Sequence, residues 1–167
     1  FEKNSYHNDE KPYYELSGAD DEFGGSDIKG YYVYFGSSQT ADPYTAGTYI
    51  EHDSNNKQEF TPVDDLSNSS TNYLRVRTID NANNMSDAQT LFTYRYDKTA
   101  PISPNSINVT PFGWSRTNNF SFTFDSGFDE ALYDSGLLEY QYKFGGTSTD
   151  WDDEVFSTNE LIIEDIE

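Results

Sequence analysis

Apolar and polar residues alternate with a period of two through several short stretches of this chain, the signature of half-buried β-strands. Tyr31, Val33 and Phe35 fall on one side of the stretch from Ile28 to Gly36, and Tyr32 and Tyr34 fall on the other. Leu74, Val76 and Thr78 share a side of the stretch from Tyr73 to Thr78. Leu91 to Tyr96 and Phe120 to Phe124 alternate in the same way. Ile107 to Val109, Leu137 to Phe144, Leu161 to Ile163 and a short piece from Phe60 to Val63 read as further strands. No segment of helical period reaches a useful length: Leu132 to Leu138 is short and interrupted by Gly136. The cluster Asp80 to Asn84 predicts a turn, and Pro101 closes a linker that begins at Asp97, because proline cannot donate to a ladder. The expected fold class is all-β.

A gapless internal match organises these strands. Residues 17–40 align with residues 126–149, and eight of the 24 positions are identical, among them Tyr31 with Tyr140 and Phe35-Gly36 with Phe144-Gly145. That points to two copies of one domain of about a hundred residues, the size of a small β-sandwich. The first domain is expected over 1–98 and the second over 99–167, without its last strands. An open sandwich exposes strand edges. The expected remedy is strands from the continuing chain, or strands donated by a neighbouring one. The chain opens on Phe1 and reads as an internal piece of a longer polypeptide.

Composition narrows the function. The 167 residues carry 10 Lys and Arg against 30 Asp and Glu, a net charge of −20, which repels phosphate backbones and anionic lipid. Nucleic acid is therefore excluded as an expected partner. The hydrophobic fraction is only 34%, but 14 Tyr and 12 Phe supply large buried areas and favour pleated sheet, so the chain reads as folded. Without cysteine there are no disulfides, thiolate metal sites or thiol nucleophiles. No stretch approaches 18 apolar residues, so no membrane insertion is expected.

Three stretches carry a family resemblance: Ser26 to Gly36, Tyr73 to Asn84, and Tyr96-Asp97-Lys98-Thr99-Ala100-Pro101. Together they resemble bacterial immunoglobulin-like and fibronectin type III-like repeats of secreted cell-surface proteins. The resemblance implies tandem immunoglobulin or fibronectin-III β-sandwiches, the second incomplete, and an extracellular, cell-surface location. Two positions depart from the pattern. Asn83 stands where the turn has glycine, and Asn72 stands where related sandwiches place a tyrosine at the E–F corner.

Catalysis finds little support in the residues. The two histidines, His7 and His52, sit among polar neighbours, and the carboxylates adjacent to His52 point to the opposite strand face. The protein is expected not to be an enzyme. Calcium is the candidate cation, since hard ions take carboxylate oxygens from flexible loops. Asp97 with Asp129, Glu130 and Asp134 is one candidate set, at the domain junction as in cadherin-like proteins. Asp20 and Asp21 with Asp80 is the other; solvated acidic loops are the competing reading. A second surface is expected from Tyr32 and Tyr34, extended by Tyr94 and Tyr96, for carbohydrate or for lateral contact between repeats. The expected role is a structural or adhesive module that self-associates into a fibre or array. A polysaccharide or host-surface ligand is the further expected partner. The alternative is a carbohydrate-binding accessory module of a secreted multidomain hydrolase.

Overall fold

A computed structural model describes residues 5–53, 57–68, 70–129, 135–142 and 160–163. The chain is all-β and divides into two compact units, Phe1–Lys98 and Thr99–Glu167.

Unit 1 contains β1 (Tyr6–His7), β2 (Tyr14–Leu16), β3 (Ile28–Gly36), a one-turn helix α1 (Pro43–Ala46), β4 (Thr48–Glu51), β5 (Gln58–Phe60), β6 (Ser70–Asp80) and β7 (Gln89–Tyr96). Five strands form one sheet in the order β1-β7-β6-β3-β4, and β2 pairs with β5 in a second. All pairings are antiparallel except β1 with β7, which is parallel through Tyr6 with Arg95 and His7 with Tyr96. The period-two pattern explains how the sheets meet. Tyr31 and Val33 of β3 and Leu74 and Val76 of β6 face Tyr14 and Leu16 of β2 in one buried cluster. Phe35, Phe60 and Phe92 pack around it. Each buried side chain of this size contributes about 1.5–3 kcal/mol.

Several expectations need correction here. The strand placed at Phe60 to Val63 runs instead from Gln58 to Phe60, because Pro62 has no amide to donate, and Val63 is exposed. The structure adds β1, β2, β4 and α1, none of which was expected from the sequence. Helix α1 starts where Asp42 accepts a hydrogen bond from the Tyr44 amide at 3.1 Å, with Pro43 in the first turn.

Unit 2 contains β8 (Ile107–Thr110), β9 (Phe120–Phe124) and β10 (Glu160–Ile163), an antiparallel sheet in the order β10-β9-β8. Its register puts Ile107, Val109, Phe120, Phe122, Phe124 and Leu161 on one face, and Asn108, Thr110, Ser121 and Thr123 on the other. The strand expected from Leu137 is absent among the described residues, where only Tyr140 makes a bridge and Leu138 is exposed. In unit 1 the corresponding β3 is held between β6 and β4. The described part of unit 2 offers no strand equivalent to β6.

Candidate functional site

The outer face of the large sheet gathers aromatic and basic side chains. Tyr32 pairs with Arg77 on β6 and with Tyr49 on β4, and Tyr34 pairs with Arg75. The 39–47 segment folds back across this face. Arg75 Nε donates to the Ala41 carbonyl at 2.8 Å, and Arg77 Nη1 lies 3.1 Å from the Asp42 carboxylate. The Tyr44 amide and, after it, Arg77 hold the Asp42 carboxyl below its usual range. Tyr34 Oη accepts from the Ser38 amide at 3.1 Å, and its ring covers Gly36. Tyr32 is flanked by Tyr44 at 4.9 Å, edge-on, and by Tyr49 at 5.2 Å.

Tyr32 and Tyr34 do face outward, yet both are half-buried, and the rings that reach solvent are Tyr44 at 53% and Tyr49 at 41% exposure. Sequence reasoning missed these two. The available signals were the Asp42-Pro43 cap and the alternation in Thr48-Tyr49-Ile50. The rings are inclined at 83° and 52° to Tyr32, so they form a notch rather than a flat platform.

Tyr94 and Tyr96 do not extend this surface: both are fully buried, at 0% exposure. Register is the reason. Tyr94 pairs with Asn72 and Phe92 with Leu74, so the even positions of β7 point into the core. The segment from Tyr6 to Glu10 then closes over them. Tyr94 Oη donates to the Asp9 carbonyl at 2.7 Å, and Tyr96 Oη donates to Glu10 Oε1 at 2.9 Å. His7 stacks on Tyr94 at 5.0 Å, the Asp97 amide donates to the His7 carbonyl at 2.9 Å, and Arg95 lies over the Tyr6 ring. Glu10 also pairs with Lys98. The Lys98 contact, then the Tyr96 hydroxyl, hold the Glu10 carboxyl below its usual range, while burial pushes the Tyr94 phenol up to about 12.

The acidic loops meet only in part. Asp21 and Asp80 line one open depression, with Glu22, Ser26 and Asn84. Their oxygens are engaged by the loops themselves. Asp80 accepts from the Asn84 amide and from Asn84 Nδ2, both at 2.7 Å, and these contacts, the side-chain one first, lower its pKa. Asp21 accepts from the Glu22 and Asp27 amides at 3.1 Å. A cation there would have to displace these amides. Asp20 is exposed beside the depression.

Of the junction set, Asp97 is buried within unit 1 and Asp129 is partly buried within unit 2, whereas Glu130 and Asp134 lie outside the described residues. Among the described residues no group of three or more His, Cys, Asp and Glu is arranged to hold a metal ion. His52 Nδ1 lies 3.4 Å from the Tyr31 hydroxyl, and His7 serves as a stacking partner.

Comparison of the chain with family models, with curated proteins and with solved structures finds no match.

Proposed function

We propose that this chain is a structural module of an extracellular surface protein or filament, and that its first unit resists tension. The observation that carries this reading is the parallel β1–β7 pair. Because the two strands run the same way, the chain enters unit 1 at one end of the pair and leaves at the other. Force applied through the two ends therefore runs along the strands. It loads the main-chain pairing and the links to Asp9 and Glu10 together, instead of opening them one at a time.

The strand order supports the immunoglobulin or fibronectin-III reading of unit 1. Written in sandwich letters, β1-β7-β6-β3-β4 is A′-G-F-C-C′, lying over β2-β5 as B-E. In unit 2 the β9–β10 pair corresponds to β2–β5, with an apolar face as one half of a sandwich.

The test is a force ramp on the whole chain held at its two ends. Combining Tyr96→Phe with Glu10→Gln should lower the unfolding force of unit 1 more than Val33→Ala does, although Val33→Ala costs more equilibrium stability. An unfolding force that follows equilibrium stability alone would remove the tension reading. A second reading, a carbohydrate module, is favoured by the exposed Tyr44 and Tyr49 beside Tyr32. It requires retention on a polysaccharide that Tyr44→Ala and Tyr49→Ala abolish.

A further inference from the structure

The loop between β8 and β9 carries the most exposed large hydrophobic side chains among the described residues of unit 2. Phe112 is at 95% and Trp114 at 106% of full exposure, separated by Gly113 at φ +79°. The left-handed glycine turns the chain sharply and leaves both rings in solvent. Arg116 follows, also exposed. Ser115 and Thr117 are turned toward each other, with their hydroxyl oxygens 2.9 Å apart and the Thr117 amide donating to Ser115 Oγ. The groups that project from the tip are thus two aromatic rings and a guanidinium, the residue types enriched at protein interfaces.

The tip lies in an unusual charge setting. Residues 99–124 contain no Asp or Glu, in a chain that has 30 of them. The complementary surface is on unit 1. The loop between β2 and β3 presents Asp20, Asp21 and Glu22 beside Phe23, whose ring is at 109% exposure on the glycine turn Gly24-Gly25. Here an aromatic ring is rimmed by carboxylates, where the other tip has aromatic rings rimmed by a cation.

We infer that the Phe112–Trp114–Arg116 tip binds the Asp20–Phe23 loop of a second copy of this chain. Because the two surfaces differ, the contact is heterologous: each copy offers one tip and one loop, so the contact can repeat from copy to copy. The apolar rings supply the buried centre, and Arg116 against the acidic rim sets orientation. This inference rests on the reading of the chain as an assembling surface module.

Sedimentation velocity tests it on the intact chain, at low and high NaCl and up to about 1 mM protein. The expected result is concentration-dependent association that persists at high NaCl, where the mutual repulsion of two chains of charge −20 is screened. Phe112→Ser with Trp114→Ser should reduce it at least about tenfold, and so should Asp20→Lys with Glu22→Lys and Phe23→Ser. All these positions are exposed or at loop tips, and circular dichroism verifies that each variant keeps its sheet. The decisive arm mixes the two variants. Each has one intact surface, so the mixture should form a one-to-one complex that stops at two copies. A wild-type chain that stays monomeric overturns the contact and leaves the tension reading to its own force measurement. Association unchanged by the tip substitutions also overturns it. So does a monomer whose retention on a soluble β-glucan or mannan depends on Trp114, which would make the tip a sugar site.

Discussion

Asn83 stands in the turn after β6 at φ +68°, a left-handed conformation that glycine and asparagine tolerate and other residues resist. Its Oδ1 also accepts from Lys29 Nζ at 2.8 Å, which ties the turn to β3. Asn83→Gly should leave stability within a few tenths of a kcal/mol, while Asn83→Val should cost about 1–2 kcal/mol in urea unfolding. The buried phenols predict an alkaline limit. Burial raises Tyr94 to about 12, and raises Tyr14 and Tyr96 as well, so folding favours their protonated form. That contribution is complete below about pH 10, where the unfolded phenols begin to ionise, and is lost as pH rises through the folded values. The urea midpoint should fall steeply between about pH 10 and 12, and Tyr94→Phe should flatten the fall. At this scale, alternation marked the tyrosines of β7 but did not fix which parity faces the core. That parity depends on the pairing of Tyr94 with Asn72, which no local pattern encodes.

Among the elements, β3, β6, β7, β8 and β9 were legible because each holds its alternation for most of its length. Strand β4 was not, since it is an edge strand of four residues, largely exposed, whose alternation has little to bury. Its place is fixed by packing across the sheet. The Tyr49 ring lies over Gly30, and a Cβ there would come 2.5 Å from the Ile50 carbonyl oxygen and as close to the Tyr49 hydroxyl. Gly30→Ala should therefore separate β4 from β3 and cost about 1–3 kcal/mol, measured by thermal unfolding. Of the strand expected from Leu137 to Phe144, Lys143 and Phe144 lie outside the described residues, and the part up to Tyr142 misled for the opposite reason. Its composition suits a strand, yet pairing partners rather than propensity decide whether such a segment joins a sheet.

For the whole molecule, the charge of −20 repels phosphate backbones and anionic lipid without naming a partner, and the candidate surfaces emerge only once distant segments are brought together. The segment from Tyr6 to Glu10 shows this most clearly: nothing in its own sequence marks it as the cover of Tyr94 and Tyr96 some 85 residues later. On the proposed tension reading, the same cover makes unit 1 directional under load. A cysteine-free chain lets that direction be measured with thiol handles placed at will. Handles at Ser5→Cys and Thr99→Cys shear β1 along β7, whereas handles at Ser5→Cys and Thr93→Cys peel the two strands apart. A clearly higher unfolding force in the shear geometry is predicted; equal forces in the two geometries would contradict the account.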